Sequence, residues 1–136
     1  MTAYIFSILC LLLLSAFFSA TETAFTSLNR IKMKNMANDD VKNAKLVLKL
    51  EDRYDKLLST ILIGNNIANI GMTAIATVMF VALLGGSLGP TASTVVMTVA
   101  VLIFGEISPK NIAKEHPEGF ALFAAPIMRG LMWLFT

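Results

Sequence analysis

Charge is scarce in this sequence. Asp, Glu, Lys and Arg make up 15% of it, against about 25% in an average soluble domain. The shortage is concentrated, because no charged residue lies in the 49 positions from Leu57 to Gly105. Such a run excludes a water-soluble globule of 136 residues. A bilayer's hydrocarbon takes about 20 helical residues per crossing, so the run reads as two crossings joined by a tight turn. Cysteine is nearly missing as well. Cys10 stands alone in an apolar stretch, which excludes a disulfide framework or a metal-thiolate site within the chain and leaves a bystander thiol. Histidine is limited to His116, in Lys-Glu-His-Pro-Glu, which reads as an exposed loop residue and not as a ligand. No Lys or Arg precedes Arg30, so the apolar N-terminus lacks the basic n-region of a secretory signal and reads as a retained helix. A net charge of +2 is too small to point to nucleic acid.

What is present is apolar: 56% of the residues are hydrophobic. The reading is one all-α integral membrane domain with three transmembrane helices and no room for a second, soluble unit. The first helix covers about residues 3–28, apolar as far as Leu14 and then increasingly polar. The second covers about 57–84. Gly85-Gly86-Ser87-Leu88-Gly89-Pro90 is a turn by composition, with Pro90 placed to open the third helix, about 91–107, which is expected to break at Gly105–Pro109. Gly64, Ala68 and Gly71 mark close packing on the second helix.

The stretch 30–56 holds 13 of the 20 charged residues. Asn38, Asp39 and Asp40 suit the cap of an amphipathic helix in which Val41, Ala44 and Leu48 share a face and Lys42, Lys45, Lys49, Arg53 and Lys56 form a basic stripe. Lys and Arg cluster in this stretch and after the third helix, so the positive-inside rule makes both segments cytoplasmic and the N-terminus external. The stripe is expected against the inner leaflet or the domain's own cytoplasmic face. The last segment, about 119–136, is apolar but carries Pro126 and Arg129 near its middle. An Arg at bilayer centre costs about 2.5–3.5 kcal/mol, so this segment is expected as a juxtamembrane helix along the inner interface. Ending on Leu134-Phe135-Thr136, the chain reads as a piece of a longer protein.

Polar residues deep in hydrocarbon need partners. On the first helix Ser15, Ser19, Glu22 and Thr26 fall at helical spacing on one face. On the second, Asn65 and Asn69 share a face, with Asn66 about 100 degrees round. On the third, Gly105 and Glu106 precede Ser108 and Pro109, and a proline there cannot donate to the Gly105 carbonyl. At about 1.5 Å per residue, Ser15, Asn65, Asn69 and Gly105 all fall in the middle third of a core about 30 Å thick. Hydroxyls, amide oxygens, a carbonyl and one carboxylate form an all-oxygen set that suits a hard cation such as Mg2+, Ca2+ or Na+. Plainer roles also stay open: the serines bonding their own helix, the asparagines gluing helices together, Glu22 reaching the interface or a basic partner.

Leu14-Ser15-Ala16-Phe17-Phe18-Ser19-Ala20-Thr21-Glu22-Thr23-Ala24, Ile63-Gly64-Asn65-Asn66-Ile67-Ala68-Asn69 and Phe104-Gly105-Glu106-Ile107-Ser108-Pro109-Lys110, in this order, resemble the transmembrane domain of the cyclin M and CorC family of magnesium transporters. The resemblance implies a homodimer of three-span domains in the inner (plasma) membrane that exports Mg2+ in exchange for Na+. No enzymatic activity is expected on this reading. The implied ion site is Ser15, Ser19, Asn65, Asn69, Gly105 and Glu106, supported by Pro109, Glu22, Asn66 and Ser108. Full-length members continue into cytoplasmic CBS domains, so ATP is not expected to bind this fragment. The competing expectation is a membrane anchor and dimerisation module that moves no ion.

Overall fold

The computed structural model describes residues 2–135, and every regular element among them is helical. Three helices are long and apolar enough to cross a membrane. The first is α1 (Thr2–Ser27), which contains no Gly or Pro. The second is α4 (Tyr54–Leu84). The third runs unbroken from Gly89 to Glu115 as α5 (Gly89–Ala100), a π-helical stretch (Val101–Ile107) and α6 (Ser108–Glu115). Around them lie α2 (Arg30–Asn38), α3 (Ala44–Asp52) and α7 (Pro117–Phe135).

The expected break at Gly105–Pro109 takes another form. A proline ring collides with the carbonyl four residues back in an α-helix, and here the ladder widens ahead of Pro109, with Ser108 N–H bonding Ile103 C=O, five residues back. The helix therefore survives its proline and ends eight residues beyond 107, at Glu115. The α4–α5 hairpin turns where expected, and Gly89 allows it to be tight. A Cβ there would lie 2.6 Å from Val81 Cα.

The spans pack around two apolar clusters. On the N-terminal side of α1, Ile8 meets Met72, Ala76 and Met97. Toward the other end, Phe18, Ala24 and Phe25 of α1 meet Leu57 and Ile61 of α4, and this cluster continues into the short helices through Met33, Val47, Leu50, Ala113, Ala124 and Met128. Gly64 and Ala68 are covered, and a Cβ on Gly64 would overlap the Phe18 ring. Ser15, Asn65 and Asn69 occupy the layer between the clusters.

The charged stretch forms two helices in place of the one expected. Asn29, and not Asn38, Asp39 or Asp40, caps the first: its side chain accepts from the backbone N–H of Ile31 and Lys32. Asn38 is the last residue of α2, Asp39 follows it as the C-cap, and Asp40 and Asn43 turn the chain with φ of 59° and 70°. Asx side chains tolerate that left-handed conformation, which ends a helix. The covered face of α3 is Ala44, Val47 and Leu50, so Val41 lies outside it, exposed. Arg30 ties the two helices together, 3.3 Å from Glu51 Oε2 and 2.7 Å from Asp52 Oδ1. The hydrogen bond to Asp52 holds its guanidinium above the usual range.

α7 packs against α1, α3 and α4 beside the ends of the spans. Pro126 lies inside it and removes the N–H that would serve the Leu122 carbonyl. Asn43 replaces that donor, its Nδ2 reaching Leu122 O at 3.3 Å. Asn43→Ala is expected to cost about 1–2 kcal/mol by leaving that carbonyl unmatched. In a Pro126→Ala background, which restores the backbone donor, the same change should cost markedly less. Thermal unfolding of the four proteins in detergent closes this cycle.

Candidate cation site between the transmembrane helices

Ser15 is fully covered and lies midway along α1. A serine in a membrane helix commonly bonds its own backbone, but this hydroxyl reaches across to α4. It stands 2.8 Å from Asn65 Oδ1 and 3.1 Å from Asn69 Oδ1. A hydroxyl has one proton to donate, so three oxygens share it. That leaves lone pairs facing one another inside an apolar bundle, where a positive charge is the natural complement.

The third helix reaches the same place through Gly105. This residue is covered, and a Cβ on it would lie 3.6 Å from Ser15 Oγ and 3.5 Å from Leu12 Cδ1. The glycine thus leaves the backbone of the π-helical stretch open to the Ser15 hydroxyl. π-helical turns often occur at functional sites. Glu106 follows, half-buried, and makes no hydrogen bond or ion pair with another described residue. Among the described residues no three or more His, Cys, Asp or Glu are grouped so that they could hold a metal ion, so neutral oxygens dominate at this place. This donor chemistry fits a hard cation and not a soft one.

The other expected residues divide. Ser19 is covered, one turn further along α1, without a hydrogen bond among the described residues. Pro109 is covered where the π-helical stretch returns to α-helix. Glu22 is half-buried and pairs with no basic group among the described residues. Asn66 and Ser108 are exposed on outward faces and do not join the cluster; a single helical step carries Asn66 away from half-buried Asn65 and Ser108 away from covered Pro109.

The structure adds a polar cleft beside the cluster. A cleft of about 280 Å3 between α4 and α5 is lined by Asn69, Thr73, Thr94 and Thr98 beside Met97 and Val101. Further along, Thr77 Oγ1 lies 3.4 Å from Ser93 Oγ. The signal was present, since Asn65, Asn69, Thr73 and Thr77 follow at four-residue steps and mark one polar face running past the asparagines.

The motifs that meet in this layer extend over most of the chain, and the family model described as the cyclin M transmembrane N-terminal domain matches residues 5–136. The chain belongs to this family. Among its relatives, the cyclin M-type domain is 40% identical over 98% of its length to a UPF0053 protein of Haemophilus influenzae and 39% identical over 90% to the UPF0053 inner membrane protein YfjD of Escherichia coli. It is 30% identical over 97% of its length to the polyamine export protein of Salmonella typhimurium. The chain spans about a third of these proteins, 31%, 30% and 34% of their respective lengths. It is a multi-pass membrane domain.

Replacing Ser15 by Ala removes the hydroxyl that donates to the two amide oxygens. It is expected to lower stability by about 1 kcal/mol. Asn66→Ala, on the exposed side of the same helix, should change it by less than about 0.5 kcal/mol. Thermal melts in detergent compare the two.

Proposed function

We propose that this domain carries Mg2+ out of the cell across the inner membrane, in exchange for Na+, through the oxygen cluster at Ser15. The observation that carries this reading is the single proton shared by Ser15, Asn65 and Asn69 beside the covered Gly105. In this reading Asn65, Asn69 and Ser15 offer neutral oxygens, Ser19 lies within reach of a hydrated ion, Gly105 keeps the backbone accessible and Glu106 supplies the charge. Mg2+ binds six oxygens at about 2.0–2.1 Å and parts with its water reluctantly. One carboxylate among neutral groups holds it loosely enough for release, and Na+ suits the same oxygens as the returning ion. Family membership and the export activity in the names of two relatives support transport of a cation. The assembly in this reading is a homodimer through the transmembrane helices, whose outer faces carry Ile63, Ile67 and Ile70 in exposed positions.

The test is flux. The protein in liposomes, with a Mg2+ indicator inside, is expected to move Mg2+ down a gradient. Glu106→Gln should abolish the flux. Gly105→Ala should fold normally, because its methyl makes only ordinary contacts, and should slow flux at least tenfold, on the order of the cost of one misplaced group. Full-rate transport by Glu106→Gln overturns the assignment. Spermidine flux in place of Mg2+ flux makes the cargo an organic polycation. A protein without any flux, and without a Mg2+-dependent rise in melting temperature, is the membrane anchor.

Orientation is tested separately. With Cys10 replaced by Ala, a cysteine at Ser87 is expected to react with a membrane-impermeant maleimide on intact spheroplasts, and one at Lys45 only after permeabilisation. The reverse pattern would place the N-terminus inside.

A further inference from the structure

Where α3, α4 and α7 meet lies a cavity of about 290 Å3 whose rim carries Lys49, Arg53, Lys56 and Arg129. Its walls are apolar: Leu50 and Met132 are covered, Leu46 is half-buried, and Trp133 is 82% exposed. None of the four cations lies within 4.0 Å of a carboxylate among the described residues. Asp52 and Asp55 share the neighbouring surface with Arg53 and Lys56, but Asp52 is engaged by Arg30 at 2.7 Å. Four like charges around one hollow repel each other, so this arrangement calls for an anion.

Position and shape narrow the anion. Lys56 immediately precedes Leu57, where the charge-free run of 49 residues begins, so the rim lies at the depth where the α4 span meets the headgroups. An exposed tryptophan is at home at that depth, and basic pockets beside transmembrane helices suit acidic headgroups. A soluble anion has no use for apolar walls, whereas a lipid brings a phosphate and the start of an acyl chain together. We propose that this cavity is a binding site for an anionic phospholipid, with Lys49, Arg53, Lys56 and Arg129 around the phosphate and Leu46, Leu50 and Trp133 along the chain. The site is separate from the oxygen cluster and independent of what the domain transports.

Native mass spectrometry of the whole chain, released from nanodiscs of mixed phosphatidylglycerol and phosphatidylcholine, reads the retained lipid. The unaltered protein is expected to keep phosphatidylglycerol in preference, and equal retention of both lipids overturns the proposal. Arg53→Gln with Arg129→Gln should lower that retention about tenfold or more, while Arg53→Lys with Arg129→Lys should keep most of it. Lys34→Gln with Lys42→Gln removes the same charge from exposed positions away from the cavity and should change little; an equal loss there means diffuse attraction and sinks the site. Inorganic phosphate at millimolar concentration should leave the lipid bound, and displacement by it assigns the cavity to a soluble anion instead.

Discussion

A single proton between three oxygens fixes how this bundle is assembled. In hydrocarbon no water relieves an unmatched polar group, and here Ser15 of α1 finds its partners in Asn65 and Asn69 of α4, which holds the two helices in one register. The apolar clusters on either side fill what that register leaves, with Ile8 and Met72 toward one end and Phe18 and Ile61 toward the other. Packing without hydrophobic drive between helices depends on close approach. Gly64 beneath the Phe18 ring provides it, immediately before Asn65. The polar layer thus adds a directional contact between helices that are otherwise held by packing alone.

The third helix meets that layer with a different device. Its ladder widens to five-residue steps over Val101–Ile107, a geometry that costs good hydrogen bonding and persists where something requires it. Pro109 supplies the requirement locally, because the wider turn spares a clash. The consequence is felt at Gly105, where a bare backbone faces the Ser15 hydroxyl. Fold and site therefore use the same irregularity: the proline that threatens the helix also shapes the wall of the oxygen cluster.

Outside the spans, α2, α3 and α7 build a collar on the end of the bundle, and its cohesion rests on small residues. Ala44, Ala121, Ala124 and Ala125 are fully covered there, so the helices approach closely. Ion pairs from Arg30 and Lys32 join α2 to α3 and to α7. Asn43 joins the α2–α3 turn to α7 by serving the carbonyl that Pro126 leaves without a partner. The basic stripe read along 42–56 is divided by this arrangement: α3 ends before Arg53, and the turn into α4 brings Lys49, Arg53 and Lys56 round toward Arg129.

Composition and periodicity by themselves determined the solvent, the three spans, the hairpin at Gly85–Pro90 and the face shared by Asn65 and Asn69, because a charge-free run and a four-residue step are local properties of a helix. They also located the disturbance at Pro109. The form of that disturbance was not legible, since whether a helix breaks or widens depends on what surrounds it, and here Leu12 and Ser15 of another helix stand against Gly105. The caps expected at 38–40 fell elsewhere for a similar reason: Asn and Asp also tolerate the left-handed conformation that ends a helix, as Asp40 does here. Only tertiary structure decided that Ser15 bonds α4 and not its own backbone, that Asn66 and Ser108 face outward, and that four separate cations surround one cavity. Each depends on which helix faces which, and that rotation is set by packing between segments far apart in the chain.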